Sequence, residues 1–121
     1  MTTYYGIIGC GMMGREHLRN IALLPDTKVS VIFEPDADMA QAAASLAPVA
    51  VFVSSIEALL QHSQLDCLVI ASPNHCHVDQ LEQIATKISL PILVEKPLFT
   101  APDDLKRIIA LKATYPAPIW V

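Results

Sequence analysis

Short runs of β-branched and other apolar residues alternate along the chain with longer segments in which apolar positions recur every three or four residues. The short runs predict strands over residues 4–8, 29–33, 49–53, 67–71, 91–94 and 119–121. The longer segments predict helices over residues 12–24, 36–46, 55–61 and 77–87, and a last helix that is headed by residues 100–103 and ends near 113. Because strands that alternate with helices pair in parallel, we expect an α/β fold with a doubly wound parallel sheet and helices on both faces.

Polar residues mark the starts of several predicted helices. Asp36 and either Ser54 or Ser55 suit the N-caps of the second and third helices, because a short polar side chain can accept a hydrogen bond from the first turn. Thr100 followed by Asp103 resembles a capping box at the head of the last helix. Helical spacing predicts apolar faces on the first and last helices, formed by Met13, Leu18 and Ile21, and by Leu105, Ile108, Ile109 and Lys112.

The composition narrows the possible classes of protein. With 121 residues, 53% of them hydrophobic and 17% charged, the chain suits one compact domain and is too apolar for a disordered segment. Its longest near-apolar run, residues 46–53, is too short to cross a membrane, which takes about 20 residues. Eight Lys and Arg residues against 12 Asp and Glu give a net charge of -4, with no basic patch. We therefore expect neither a membrane nor a nucleic acid as a partner.

The cysteines and the amino terminus bear on the cellular compartment. Cys10, Cys67 and Cys76 are odd in number and have no CxxC spacing, which favours reduced thiols over a disulfide framework. No basic residue precedes Arg15, and glycines interrupt the first apolar stretch, so no secretory signal is predicted. We therefore expect a cytoplasmic protein.

Several histidines raise the question of a metal site. His75, Cys76, His77 and Asp79 are candidate ligands, but the two histidines stand two residues apart and no second Cys/His pair has a finger-like spacing. We therefore expect no metal site here. His17 lies within the first predicted helix and is interpreted as a surface or packing residue.

All four glycines fall within the first fourteen positions, and three of them form a G-x-G-x-x-G pattern between the first strand and the first helix. In a dinucleotide site, Gly9 permits the tight turn, Gly11 lets a pyrophosphate approach the backbone, and Gly14 allows close packing of helix on strand. Met12 and Met13 would act through their backbone N–H groups at the helix N-terminus, which favours an anion. This order of elements predicts a dinucleotide site rather than a simple turn.

An acidic residue follows the second predicted strand at the position that a dinucleotide site requires. Glu34 stands twenty-five residues after Gly9, where a carboxylate can accept hydrogen bonds from an adenosine ribose. No Lys or Arg occurs within residues 29–86, so a 2′-phosphate there would meet only Glu34, Asp36 and Asp38. We therefore predict NAD in preference to NADP, unless an arginine of the first helix reaches this loop.

Two further loops carry functional side chains, at the carboxyl ends of strands where ligands bind in doubly wound sheets. Ser72-Pro73-Asn74-His75-Cys76-His77 follows the fourth strand, and Glu95-Lys96-Pro97 follows the fifth. With the glycine loop and Glu34-Pro35-Asp36, these motifs resemble the Gfo/Idh/MocA family of sugar and cyclitol dehydrogenases. Ser72 stands where the family usually has threonine, which keeps the hydroxyl. The resemblance extends over all 121 residues and covers the family's amino-terminal half.

The resemblance implies a Rossmann domain over residues 1–121 that binds NAD. The cofactor-binding residues that it implies, together with those of the glycine loop and the acidic position, are Gly9, Gly11, Met12, Met13, Gly14, Glu34, Ser72, Pro73, Asn74, His77, Glu95 and Lys96. Of these, Ser72, Pro73 and Asn74 would line the nicotinamide half of the cofactor. Glu95 and Lys96 would then lie near the nicotinamide.

One catalytic residue is implied, Lys96. The matching lysine of the family hydrogen-bonds the substrate hydroxyl, and a buried ammonium would stabilise the alkoxide that develops as the carbon gives up hydride. An alternative interpretation of Lys96 is an exposed lysine that flanks a helix. The bond that corresponds to Lys96–Pro97 is often cis in the family, so we predict a cis bond here.

Family members take a general base, most of the substrate pocket and usually their subunit contacts from a second α+β domain, which these 121 residues lack. We therefore expect a fragment that ends within strand six, binds the dinucleotide without turnover, and belongs to an enzyme acting on a secondary hydroxyl of a sugar, cyclitol or polyol. The alternative is a stand-alone dinucleotide-binding or interaction module without catalysis. The apolar end at residues 119–121 predicts a homo-oligomer or self-association.

Overall fold

A computed structural model describes all 121 residues and contains one six-stranded sheet. The strands are β1 (Thr3–Ile8), β2 (Thr27–Phe33), β3 (Val51–Val53), β4 (Cys67–Ile70), β5 (Ile92–Val94) and β6 (Ile119–Trp120). Their spatial order is β3-β2-β1-β4-β5-β6, and all five pairings are parallel. This order confirms the predicted doubly wound sheet of the Rossmann type.

Five α-helices connect the strands: α1 (Met12–Ala22), α2 (Ala37–Ala44), α3 (Ile56–Leu60), α4 (His77–Ala85) and α5 (Asp104–Thr114). A single 3-10 turn, Asn74–Cys76, leads into α4. Two predicted N-caps are confirmed, because Asp36 accepts a hydrogen bond from the Met39 N–H at 3.0 Å and Ser55 accepts one from Ala58 at 3.0 Å. No helix is long and apolar enough to cross a membrane.

The sheet separates two hydrophobic cores, since successive residues of a strand point to opposite faces. Ile7, Ile32 and Val69 lie on the face covered by α1 and α2, together with Leu18, Ile21 and Ala43. Ile8, Val31 and Ile70 lie on the other face with residues of α3, α4 and α5, among them Leu59, Leu81 and Leu111. The inner strands are therefore mostly apolar, because both of their faces are buried.

The start of the last helix differs from the prediction. The capping box is not formed: α5 begins at Asp104, and Asp103 is its N-cap without a side-chain hydrogen bond to the helix. Its first amide N–H groups form hydrogen bonds with the preceding turn instead. The Asp104 N–H donates to the Ala101 carbonyl oxygen, and the Leu105 N–H donates to the Pro102 carbonyl oxygen. A tight turn therefore takes the place of the side-chain cap.

Two predicted apolar faces are also corrected. In α5 the buried side is formed by Leu111 and the partly buried Ile108, whereas Leu105, Ile109 and Lys112 are exposed. The reason is the neighbouring α4, whose Leu81 and Ile84 belong to the same apolar cluster as Leu111. In α1, Leu18 and Ile21 are buried as predicted, but Met13 is exposed at the edge of a cavity.

Candidate functional site

The carboxyl ends of β1, β2, β4 and β5 surround a cavity of about 720 Å³. This volume lies within the range of about 300–1,000 Å³ that is usual for ligand pockets. The cavity lies where the chain order of the strands reverses, between β1 and β4, which is where ligands bind in doubly wound sheets. Ten of the twelve residues predicted to bind the cofactor line it, namely Gly9, Gly11, Met12, Met13, Glu34, Ser72, Pro73, Asn74, Glu95 and Lys96.

The glycine loop forms the floor of this cavity, and each glycine meets a different steric demand. Gly9 has φ +94°, and a Cβ there would lie 2.5 Å from the Ser72 nitrogen. A Cβ at Gly14 would lie 2.0 Å from the Gly9 carbonyl oxygen, so this glycine lets α1 pack against the end of β1. A Cβ at Gly11 would meet nothing nearer than the Met39 sulfur at 4.0 Å. Gly11 therefore leaves open space at the N-terminus of α1.

Glu34 joins the glycine loop to the loop after β2. Its Oε1 accepts a hydrogen bond from the Cys10 N–H at 2.7 Å, and its Oε2 accepts one from the Asp36 N–H at 2.9 Å. A carboxylate can accept several hydrogen bonds at once, so further donors can reach these oxygens from the cavity. Glu34 thus lies on the cavity wall as a fixed acceptor.

The two arginines of α1 do not reach the loop after β2. Arg15 donates a hydrogen bond to the Cys10 carbonyl oxygen at 2.9 Å, and Arg19 pairs with Glu16 one turn earlier in the helix. Lys96 is the one cationic side chain among the residues that line the cavity. The end of the cavity around Glu34, Pro35 and Asp36 is consequently acidic.

The loop after β4 forms the next wall. The Ser72 hydroxyl donates a hydrogen bond to the amide oxygen of Gln80 on α4, and both residues line the cavity together with Pro73 and Asn74. Gln80 was not predicted from the sequence. Gln80 is half-buried near the start of α4, with its side chain facing the loop. Nothing in the sequence distinguishes it from a surface glutamine.

His77 does not line the cavity. It is fully buried behind the wall, with Nδ1 2.8 Å from the Pro97 carbonyl oxygen and Nε2 3.0 Å from the Ser72 carbonyl oxygen. Carbonyl oxygens only accept hydrogen bonds, and a neutral imidazole has one N–H, so in that form the ring donates to one of the two carbonyl groups and only contacts the other. His77 thereby ties the loop after β4 to the loop after β5. Gly14 is the other predicted residue that lies behind the cavity surface.

The loop after β5 presents the two charged residues of its motif differently. Glu95 is half-buried, and its Oε1 lies 2.7 Å from Nε2 of His17 on α1. Lys96 is exposed, in contrast to the buried ammonium of the sequence interpretation, and it forms no ion pair or hydrogen bond with any other side chain. The Lys96–Pro97 bond is cis, as predicted.

His17 is the residue that the sequence interpretation missed. It was interpreted as a surface or packing residue with no role in the site, whereas its side chain is 18% exposed and contacts Glu95 on the wall of the cavity. Its spacing holds a signal, because His17 stands one turn from Gly14 and one turn from Ile21, both buried. A polar residue on the buried side of a helix needs a partner, and Glu95 provides it.

Cys10 of the glycine loop is not an activated nucleophile. Cys10 is fully buried, and burial together with the nearby Glu34 carboxylate raises the pKa of its thiol to about 12. A thiol with so high a pKa is protonated at neutral pH, and the thiolate is the reactive form. No group of three or more His, Cys, Asp or Glu side chains is arranged to hold a metal ion.

Comparison with known proteins finds a matching family profile and related enzymes. The profile of the Gfo/Idh/MocA family, an oxidoreductase family with an NAD-binding Rossmann fold, matches residues 3–121. Inositol 2-dehydrogenase of Leifsonia xyli subsp. xyli is 37% identical over 114 residues, which cover 93% of this chain and 33% of that protein. Inositol 2-dehydrogenase of Corynebacterium glutamicum (strain R) is 36% identical over 114 residues, which cover 93% and 34%. The chain thus spans about a third of the length of these curated relatives.

Solved structures show the same arrangement of elements. Myo-inositol dehydrogenase from Lactobacillus casei, in complex with NAD(H) and myo-inositol, is similar with a TM-score of 0.87 and 27% identity over 98% of this chain and 36% of that one. The WlbA dehydrogenase from Bordetella pertussis, in complex with NADH and UDP-GlcNAcA, is similar with a TM-score of 0.84 and 25% identity over 98% and 36%.

Proposed function

This chain belongs to the Gfo/Idh/MocA family of oxidoreductases, and from that premise we propose that its cavity binds NAD(H), in preference to NADP(H), for oxidation of a secondary hydroxyl of a sugar, cyclitol or polyol. The observation that carries the proposal is the convergence of three groups on one cavity. These are the open N-terminus of α1, the Glu34 carboxylate and the Lys96 ammonium.

The glycine loop fits the diphosphate of a dinucleotide. The N-cap residue of α1, Gly11, contributes no side-chain hydrogen bond, so the first N–H groups of the helix stay available to an anion. The first turn of α1 also has no acidic residue, whereas α2, α3, α4 and α5 each have one. An acidic side chain there would compete with the diphosphate for the positive end of the helix.

The preference for NAD(H) follows from the charges beside Glu34. A ribose offers two hydroxyl donors to the carboxylate, whereas a 2′-phosphate would place negative charge against Glu34 and Asp36. Neither Arg15 nor Arg19 contacts this loop or lines the cavity: Arg15 binds the Cys10 carbonyl oxygen, and Arg19 pairs with Glu16. Binding of NADPH is therefore disfavoured by repulsion without a counter-charge.

Lys96 is proposed as the catalytic residue of the chain. When bound, a nicotinamide would supply the acceptor for the hydride of the substrate carbon. The exposed ammonium of Lys96 can donate a hydrogen bond to the substrate oxygen and stabilise its negative charge as the hydroxyl proton departs. No histidine lines the cavity, so we propose that the general base comes from the second domain that the resemblance implies.

We expect the replacement of Glu34 by alanine to weaken NADH binding about tenfold or more, because hydrogen bonds to a charged acceptor contribute about 1.5–3 kcal/mol. The affinity for NADPH should change less. Removal of the Glu34 carboxylate takes away the hydrogen-bond acceptor, but it also takes away the repulsion between that carboxylate and the 2′-phosphate. Isothermal titration calorimetry with both nucleotides measures the two effects.

Asp38→Ala is the matched control for Glu34, because it removes the same charge from an exposed residue that does not line the cavity. Glu34→Gln is a second control, since its amide oxygen can still accept the hydrogen bond from Cys10. Equal losses for Glu34→Ala and Asp38→Ala would contradict the assigned role of Glu34.

Self-association at the β6 edge of the sheet also remains a proposal. Leu93, Trp120 and Val121 are exposed beside an edge strand, with exposed fractions of 36%, 56% and 66%. Exposed apolar groups next to unpaired strand N–H and C=O groups favour pairing with another surface. We expect light scattering of the concentrated chain to show dimers or larger species, and Trp120→Lys to reduce them. A monomer throughout the concentration range would contradict this proposal.

A further inference from the structure

Glu95 and Lys96 are neighbours in sequence, carry opposite charges and line the same cavity, yet they do not form an ion pair. The sole side-chain partner of Glu95 is His17, at 2.7 Å. Lys96 has no acidic partner at all. The structure therefore separates two groups that would attract one another if their side chains were free.

His17 is held on a rigid element. It projects from α1, whose position is fixed by the buried Leu18 and Ile21 and by the close approach of Gly14 to the Gly9 backbone. The side chains of His17 and Glu95 are 18% and 23% exposed, so their contact is partly shielded from water. A hydrogen bond to a charged acceptor in such a place is stronger than one on an open surface.

We propose that His17 is a positioning residue that fixes the Glu95 carboxylate against α1 and thereby leaves the Lys96 ammonium unpaired for the substrate oxygen. This inference rests on the proposed role of Lys96. When the His17 donor is lost, the Glu95 carboxylate becomes free to rotate away from α1 and to pair with Lys96. A Lys96 engaged by Glu95 donates less readily to a substrate hydroxyl.

The chemical reactivity of Lys96 reports on this pairing without any cofactor. Amines react with acetic anhydride only in the neutral form, and a nearby carboxylate favours the charged form. Trace acetylation followed by mass spectrometry of the peptides gives the labelling of Lys96 relative to Lys28 and Lys112, which lie outside the cavity. These two lysines serve as internal standards for concentration and pH.

His17→Phe keeps an aromatic ring but has no hydrogen-bond donor. We expect the relative labelling of Lys96 to fall about threefold in this variant, the size of effect expected for a partly exposed ion pair. His17→Gln keeps a donor and should restore labelling to within about 1.5-fold of the original chain. His17→Ala is the alternative donor-free variant if thermal melting shows that phenylalanine disturbs the fold.

The double variant His17→Phe with Glu95→Gln shows whether His17 acts through Glu95. Without the carboxylate, loss of His17 should no longer reduce the labelling of Lys96. Unchanged labelling in His17→Phe, or an equal fall in the Glu95→Gln background, would overturn the inference. Failure of the proposed function would be seen separately, as absence of NADH binding by the original chain.

Discussion

Replacing Gly14 by alanine is expected to unfold the chain or to destabilise it by at least about 3 kcal/mol. The added Cβ would lie 2.0 Å from the Gly9 carbonyl oxygen and 2.9 Å from its carbon, and both atoms belong to the backbone. Backbone atoms cannot rotate away as the end of a flexible side chain can. Relief of the overlap therefore requires α1 to move off the end of β1, and the core around Leu18 and Ile21 moves with it.

Circular dichroism during heating measures the effect of the Gly14 substitution. A loss of this size should lower the melting temperature by roughly 10 °C or more in a domain of this length. Gly11→Ala is the matched control, because it makes the same chemical change three residues earlier, where the new Cβ meets open space. Melting of Gly14→Ala at the temperature of the original chain would show that α1 does not depend on this contact.

Replacing Gly11 by alanine is expected to reduce NADH affinity on the order of 100-fold, which corresponds to about 2.7 kcal/mol, while stability stays nearly unchanged. The new methyl group would stand in the cavity at the N-terminus of α1, where we propose that the diphosphate approaches the backbone. The fold tolerates it because the nearest atom is the Met39 sulfur at 4.0 Å. This variant thus separates binding from folding.

Calorimetry and thermal melting of the same Gly11→Ala preparation give both quantities. A native melting temperature with lost NADH binding supports the assignment of the glycine loop to the diphosphate. Binding of NADH with unchanged affinity would instead mean that the cavity holds its ligand away from α1. A lowered melting temperature would mean that the open space at Gly11 is needed for folding.

Helix α1 connects the two ends of the candidate site. Its N-terminus borders the cavity at Gly11, and His17, nearly two turns later, contacts Glu95 after β5. One rigid element therefore positions both the proposed diphosphate site and the proposed catalytic loop. Because α1 packs against the end of β1 at Gly14, this glycine also helps to place His17 beside Glu95.

The order of elements and the main motifs could be predicted from sequence because their signals are local. An unbroken apolar run is typical of a strand buried on both faces, and β4 confirms this, since Leu68, Val69 and Ile70 are all buried. The glycine pattern was informative because the absence of a side chain serves a different purpose at each of the three positions, and their spacing is the one that a strand–turn–helix unit needs. Asp36 and Ser55 were predictable as N-caps for the same reason, since a cap acts within one turn.

The contacts that the sequence did not predict join residues that lie far apart along the chain. His17 and Glu95 are 78 positions apart, and the contact from His77 to the Pro97 carbonyl spans 20 positions. Such pairs depend on how α1 and α4 are placed on the sheet. Local periodicity shows that His17 belongs to the buried side of a helix, but it does not identify the partner.

The errors in α5 have a similar physical origin. Apolar residues occur on more than one side of this helix, so periodicity alone does not decide which side is buried. Packing decides it, because Ile108 and Leu111 join the apolar cluster that includes residues of α4. On the same side of α5, Arg107 binds Asp79 and Glu82. These hydrogen bonds to carboxylates also raise the pKa of the Arg107 guanidinium, which therefore stays charged.

Titration of the unmodified chain with NADH and, in parallel, with NADPH tests the central claim most directly. We predict saturable binding of NADH in a calorimeter, with NADPH bound more weakly because the acidic end of the cavity repels its 2′-phosphate. Absence of NADH binding at millimolar concentration would contradict the assignment of the cavity as a dinucleotide site. Tighter binding of NADPH than of NADH would contradict the role given to Glu34.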